Sequence, residues 1–335
     1  MKLFYFSTFF LGVFFSLFLL PAVMDWAERR RIYDRPDNKR KIHGQLVPLC
    51  GGLGIYISFY LSLGFLIFLF PSFRNMIVRT GFSGTLSGIF LASTLILFTG
   101  ISDDKKALPP TVKLLLQVIA ALLLVLYGLK IEGFKIPFSS SFIIFPQFLV
   151  ILVTLFWLVG FSNLINLVDG LDGLAGGITV IASLTFFFVN LIQMRRIPDT
   201  SPELFFSSFF ALLVAGATLG FLYYNFFPAN IFLGDSGSLF LGFMLGIVTV
   251  MGMLKLTAAL AFFIPIVVVA FPLADVLMAI LRRMRKGKPI MQADAGHFHH
   301  YLLRKGWNQR EIVFLLYNVT LVLSFAALVW VALSR

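Results

Sequence analysis

Apolar residues in this chain come in blocks and do not alternate with polar ones. Ten runs of about twenty residues are nearly free of charge, near positions 3–23, 48–71, 82–101, 112–130, 146–165, 174–194, 206–224, 237–254, 256–281 and 312–333. The hydrocarbon core of a bilayer is about 30 Å thick and takes roughly 20 such residues at helical rise. Within it, a helix satisfies its own backbone polar groups. The pattern predicts an all-α polytopic integral membrane protein of about ten transmembrane helices, with no internal repeat and no linker, so that residues 1–335 form a single transmembrane domain. The first run is too long for a signal-peptide core and lacks a small-residue cleavage site, so it reads as an uncleaved first helix.

Composition agrees. Of 335 residues, 59% are hydrophobic and 13% charged, where a soluble domain carries roughly 25% charged residues. The single cysteine, Cys50, excludes an internal disulfide and a multi-cysteine metal site. A net charge of +12 raises the question of nucleic acid, but the basic residues are distributed as topology signals. The expected partner is therefore membrane lipid and no nucleic acid. With the 24–47 loop in the cytoplasm, strict alternation places 18 of the 27 Lys and Arg residues inside. The first loop (Arg29 to Lys41) and the ninth-to-tenth loop (Arg282 to Arg310) carry most of that bias, so both termini face outward. Of fifteen acids, only Glu132, Asp199 and Glu203 fall outside, and all four histidines fall inside. Polar chemistry is gathered at the cytoplasmic face.

Five inner segments hold it: "DRPDNKRKIHGQLVPLCGG" (34–52), "SDDKKALPPTVK" (102–113), "NLINLVDGLDGLAGG" (163–177), "NFFPANIFLGDSGS" (225–238) and "GHFHHYL" (296–302). Mg²⁺ usually takes one or two carboxylates together with substrate phosphates and waters, and Lys and Arg pair with phosphate. Five aspartates (Asp103, Asp104, Asp169, Asp172 and Asp235) among many cations thus suggest a Mg²⁺-dependent reaction of a phosphorylated substrate. Asn163, Asn166, Asp169 and Asp172 are spaced by three. Neighbours at that spacing share a helix face, but over three steps an ideal helix drifts to its far side. Asn163 and Asp172 converge only if the segment unwinds, which Gly170, Gly173, Gly176 and Gly177 permit.

Each feature also has a plainer reading. Asp103–Asp104 before Lys105 is, alone, a solvated helix end, and single basic loop residues are topology signals first. Gly51, Gly52 and Gly54 suit close helix packing. Three histidines within four residues lack a fourth zinc ligand. Asp275 lies inside the ninth run, where an acid is either functional or paired with a neighbouring helix. "GDSGS" matches a serine-protease nucleophile segment, but that chemistry needs a His and an Asp oriented in a β-barrel, which this pattern excludes.

Taken together and in order, the five segments resemble the polyprenyl-phosphate N-acetylhexosamine-1-phosphate transferases, bacterial enzymes related to phospho-MurNAc-pentapeptide transferase. The resemblance covers nearly the whole chain. It implies that a phosphate oxygen of undecaprenyl phosphate attacks the β-phosphorus of a UDP-amino sugar and displaces UMP, with Mg²⁺ (or Mn²⁺ in its place) bound, at the bacterial cytoplasmic membrane. It further implies that Asp235 is the main metal ligand. Asp103 would deprotonate or orient the lipid phosphate, or form a covalent intermediate, with Asp104 supporting it. Asp172, Asn225 and Phe232 would form the uridine pocket, and Asn166 and Asp169 would line the diphosphate and metal region. Lys39, Arg40, Lys41 and Lys113 would meet phosphates with His43 nearby, and His297, His299 and His300 would contact the sugar-phosphate end. The spacing His-x-His-His and the 34–52 loop favour the amino-sugar branch, GlcNAc being the commonest donor, over the muramyl-pentapeptide branch. "DDKKALPP" departs slightly from the usual Arg- or Lys-containing turn, which leaves the roles of Lys105 and Lys106 open. A homodimer is common among membrane proteins, and nothing in the sequence specifies one.

The rival of another class is a transporter of lipid-linked sugar. Transporters place substrate near the bilayer midplane between repeated halves, whereas here the acids gather at one face without a repeat. The topology has a direct test: a cysteine introduced beside Asp172 should react with a thiol reagent from the cytoplasmic side only, and labelling from outside would overturn it.

Overall fold

A computed structural model describes residues 2–34, 47–135, 142–196, 202–253, 269–270, 274, 278, 281, 284 and 298–333. Its elements are α1 (Lys2–Arg29), β1 (Tyr33–Asp34), β2 (Val47–Pro48), α2 (Gly51–Leu69), α3 (Pro71–Arg79), α4 (Phe82–Lys105), α5 (Pro110–Leu126), β3 (Gly133–Lys135), β4 (Phe142–Ile144), α6 (Gln147–Val168), α7 (Leu174–Arg196), α8 (Pro202–Asn225), α9 (Gly234–Met253), α10 (Phe298–Arg304) and α11 (Gln309–Leu333). Among the described residues, eight helices are long and apolar enough to cross a membrane: α1, α2, α4, α6, α7, α8, α9 and α11. The 17-residue α5 is shorter, about 26 Å at 1.5 Å per residue. These nine match nine of the ten apolar runs, and the protein is an all-α multi-pass membrane protein. The tenth run, 256–281, falls almost entirely outside the described residues, and Asp275 with it.

The apolar pattern misses three features. α3 is amphipathic, burying Phe73 and Ile77 one turn apart while Arg74 and Arg79 stay outside, and Pro71 starts it. Two short antiparallel ribbons, β1–β2 and β3–β4, close loops at the bundle ends. α4 also runs past its apolar stretch, so Asp103 and Asp104 stand in its last turn.

α8 and α9 are the inner helices, 89% and 94% buried over their apolar windows, against 28% for α1. α9 packs against α2, α4, α6, α7 and α8, and α8 against α1, α2, α7 and α9. Hydrophobicity does not distinguish helix from lipid, so close packing and polar contacts must hold such a bundle. Glycine supplies the packing. A Cβ on Gly100 of α4 would run into the Ser236 backbone of α9, and one on Gly52 of α2 into Gly237. Gly242 and Gly246 bring α9 against Phe161 and Leu158 of α6. Polar contacts add to this: Trp157 Nε1 donates to Thr249 Oγ1 at 2.8 Å, and Ser162 Oγ to the Leu239 carbonyl at 3.0 Å. Asn190 donates to Ser207 Oγ at 2.8 Å, which donates to the Val248 carbonyl at 2.7 Å, joining α7, α8 and α9.

Overpacking a tight contact costs about 1–3 kcal/mol. Gly100→Ala should therefore lower the thermal unfolding midpoint in detergent. Gly64→Ala, where a Cβ meets nothing within 4 Å, should leave it unchanged or raise it.

Candidate active site

Lys113, in the first turns of α5, reaches three other helices. Its Nζ donates to Asp103 Oδ2 in the last turn of α4 at 2.8 Å, to Asn166 Oδ1 in the last turn of α6 at 3.4 Å, and to Asp235 Oδ2 in the first turn of α9. Asn166 Nδ2 in turn donates to Asp235 Oδ1 and to Ser238 Oγ, both at 2.9 Å. Asp103 Oδ1 accepts the Leu108 N–H at 2.6 Å, which folds the 106–109 turn back onto the helix end. Side-chain exposure is 12% for Asp103 and 17% for Lys113 but 33% for Asp235. Asp235 is thus the most exposed of these three charged groups.

One turn deeper, Gln117 and Asn163 exchange amide hydrogen bonds of 3.3 and 2.5 Å, fixing α5 against α6. Sequence reading passed over Gln117, yet it stands four residues after Lys113 as a lone polar residue in "LLLQVIAALLL" and is fully buried. Ser238, three residues after Asp235, was also missed.

Asp104 has a different place from its neighbour. Its two oxygens accept the N–H groups of Asp235 (2.7 Å) and Ser236 (3.1 Å). A carboxylate from α4 therefore caps α9, satisfying donors that the first turn leaves without intrahelical partners. Gly234 makes this geometry reachable: its φ is +70°, and the Asp104 carboxylate fills the space a Cβ would take.

The spaced-by-three motif is helical only through Val168. Beyond it Asp169 to Gly173 form a turn, with Gly173 at φ +80°. The unwinding does not bring Asn163 to Asp172. Asn163 pairs with Gln117, while Asp172 Oδ2 accepts the Ala229 N–H at 3.1 Å. Asn225, at the end of α8, spans the same gap: its Oδ1 accepts the Gly173 N–H at 3.0 Å and its Nδ2 donates to the Ile231 carbonyl at 2.8 Å. The Phe232 backbone is tied to the start of α2, its N–H donating to the Pro48 carbonyl and its carbonyl accepting the Gly51 N–H, both at 2.9 Å. Asp172, Asn225 and Phe232 thus belong to two loops stitched together beside the Lys113 cluster.

Asp169 stands between the two groups. Burial first, then the charges of Asp235, Asp104 and Asp172, push its carboxyl well above the usual carboxylate range. Among the described residues no three His, Cys, Asp or Glu side chains converge as a closed metal site requires. Asp235, one-third exposed, is a carboxylate that could take part in holding a hard divalent cation whose remaining positions are filled by phosphate and water. Lys39, Arg40, Lys41, His43 and His297 lie outside the described residues, and His299 and His300 are placed only as backbone of α10.

Replacing an N-terminal cap typically costs about 1 kcal/mol. Asp104→Ala, which removes an acceptor from two N–H groups at once, should lower the unfolding midpoint in detergent, while Asp104→Asn should recover part of the loss.

Comparison with known proteins places the whole cluster in a matched region. The sequence pattern of glycosyl transferase family 4 matches residues 86–253, half of the chain. The chain is 34% identical over 318 residues to a probable undecaprenyl-phosphate N-acetylglucosaminyl 1-phosphate transferase of Bacillus subtilis, covering 93% of this chain and 81% of that one. It is 34% identical over 304 residues to a decaprenyl-phosphate N-acetylglucosaminephosphotransferase of Mycolicibacterium smegmatis, covering 86% and 73%. A phospho-N-acetylmuramoyl-pentapeptide-transferase of Limosilactobacillus reuteri is 29% identical over 285 residues, covering 81% and 83%. With Asp103, Lys113, Asn166 and Asp235 all inside the matched region, the chain belongs to glycosyl transferase family 4, whose members transfer a sugar phosphate to a polyprenyl phosphate.

Proposed function

We propose that this protein transfers N-acetylglucosamine 1-phosphate from UDP-GlcNAc to undecaprenyl phosphate, releasing UMP, at the cytoplasmic face of the bacterial inner membrane. This would be the first membrane step of a cell-envelope glycan. The observation that carries the reading is the Lys113 ammonium shared by Asp103, Asn166 and Asp235 at one end of a membrane bundle. A group so placed can meet phosphate from a soluble donor and from a lipid in the same layer.

Asp103 and Asp235 share the one Lys113 ammonium, and Asp104 and Asp169 lie close enough to Asp235 to feel its charge. Such a gathering of acids would repel two anionic substrates unless a cation were bound. Mg²⁺, or Mn²⁺ in its place, would be held by Asp235 with Asp169 and would supply charge neutralisation on the diphosphate and on departing UMP. Lys113 would leave its carboxylate partners for phosphate oxygens. Asp103, anchored by the Leu108 N–H, would orient the acceptor phosphate or take its proton. An oxygen of that phosphate bonds to the β-phosphorus as the bond from β-phosphorus to the bridging oxygen breaks, and the electron pair leaves with UMP. The sugar C1–O bond stays intact, so the anomeric configuration is retained. Asp172, Asn225 and Phe232 would hold uridine. Lys39, Arg40, Lys41 and His43 would meet phosphates, and His297, His299 and His300 the sugar-phosphate end; these roles rest on the family resemblance.

The test is UMP release by purified protein with undecaprenyl phosphate and Mg²⁺, across UDP-GlcNAc, UDP-GalNAc and UDP-MurNAc-pentapeptide. Release with UDP-GlcNAc, abolished by omitting the lipid phosphate or chelating the metal, is expected. Asp235→Ala should lower kcat at least about a hundredfold at every Mg²⁺ concentration, and near-normal turnover would remove it as the metal ligand. Release with UDP-MurNAc-pentapeptide alone would move the protein to the muramyl branch, and no release from folded protein would favour the transporter.

A further inference from the structure

The last helix, α11, contributes no residue to the motifs above, yet it grips both loops assigned to uridine. It opens with a reciprocal cap: the Asn308 N–H donates to Glu311 Oε2 and the Glu311 N–H to Asn308 Oδ1, each at 2.9 Å. The next contacts come from one face. Arg310, Phe314 and Tyr317 are spaced by four and three residues, which stacks them along the helix. Arg310 donates from Nε (3.2 Å) and a terminal guanidinium nitrogen (3.1 Å) to the Phe227 carbonyl, and its guanidinium lies 5.5 Å from the centre of the Phe227 ring. Phe314 meets the Phe226 ring edge-on at 5.7 Å. The Tyr317 hydroxyl donates to the Gly173 carbonyl, and its ring occupies the space where a Cβ on Gly177 would stand.

The two anchored carbonyls are informative. Gly173 follows Asp172, and its N–H is the group held by Asn225. Phe227 begins the 227–233 stretch that carries Ala229, the Asp172 partner, and Phe232. Asp172 and Asn225 join the loops from within, and α11 fixes each from outside. Both sets of α11 hydrogen bonds end on backbone carbonyls, so they act on the course of the loops. The paired donors and ring contact of Arg310 require a planar fork that lysine lacks.

We infer that Arg310 and Tyr317 are positioning residues for nucleotide binding: by holding the Phe227 and Gly173 carbonyls they set the separation of the two loops and hence the affinity for the uridine end of the donor. This rests on the proposed assignment of uridine to Asp172, Asn225 and Phe232. Loss of a hydrogen bond that shapes a site without touching its ligand should weaken donor binding and spare the chemical step.

The experiment is steady-state UMP release with varied UDP-GlcNAc and varied undecaprenyl phosphate, alongside thermal unfolding, for Tyr317→Phe, Arg310→Ala, Arg310→Lys and Phe232→Ala. Tyr317→Phe and Arg310→Ala should each raise the KM for UDP-GlcNAc about three- to tenfold, with kcat and the KM for lipid phosphate within about twofold of the parent. Arg310→Lys, which keeps the charge and one donor, should fall between. An unchanged KM for UDP-GlcNAc in Tyr317→Phe and Arg310→Lys, with Phe232→Ala raising it, overturns the inference and leaves the uridine reading standing. A lowered unfolding midpoint with both KM values and kcat moving together also overturns it, because α11 would then be only structural. An unchanged KM in Phe232→Ala removes the uridine reading, and the inference with it.

Discussion

The organisation of this protein depends on one ammonium. Lys113 lies at the end of an apolar bundle where a charge without compensation would cost several kcal/mol. Its partners come from three other helices, so the charge is satisfied only when the last turns of α4 and α6 and the first turns of α5 and α9 meet at one level. Buried ion pairs add little net stability, but removing one partner leaves the other stranded. The pairing therefore acts mainly on register: displacing α5 along its axis by one turn, about 5.4 Å, would take Lys113 away from Asp103, Asn166 and Asp235 together. The Gln117–Asn163 amide pair repeats the constraint one turn deeper without charge.

That register needs backbones that can approach. α9 is central because small residues face its neighbours: Gly237 meets Gly52, Ser236 meets Gly100, and Gly242 meets the Phe161 carbonyl. At the Gly234–Gly237 end this closeness also has chemical consequences. Only with α4 drawn so near can Asp104 reach two N–H groups of α9, and that capping in turn sets Asp235 beside Lys113. Packing and chemistry at this point are one arrangement.

Nine of the ten expected spans were legible because a bilayer imposes a length and a polarity on each apolar run, and the meeting of Asp103, Asn166 and Asp235 at Lys113 falls where polar residues interrupt or end those runs. Other features left no such trace. α3 is too short and too polar to register as a span, and β1–β2 and β3–β4 are ribbons of two or three residues. Asp103 and Asp104 are identical in sequence terms. Their division into a Lys113 partner and a helix cap depends on which way each side chain leaves α4, which only tertiary packing decides. The glycines after Asp169 signalled the break in the helix correctly, but the expected meeting of Asn163 with Asp172 gave way to partners, Gln117 and Ala229, far away in sequence. Arg310 counted only as a topology signal, since its acceptor is a backbone carbonyl more than eighty residues earlier.

The distribution of backbone donors explains why side-chain cations crowd this end of the molecule. Helix N-termini carry partial positive charge and commonly bind phosphate, and among the described residues several N–H groups at helix starts beside the site are already engaged. α9 gives its Asp235 and Ser236 N–H groups to Asp104, and α2 gives those of Gly51 and Gly52 to the Phe232 and Leu233 carbonyls. Gly173, just ahead of α7, gives its N–H to Asn225. These donors build the loops and are not open to an anion. On the proposed reading, phosphate would then be met by groups that can move to it, such as the flexible Lys113 side chain. The fold thus uses these fixed donors to hold the site in shape.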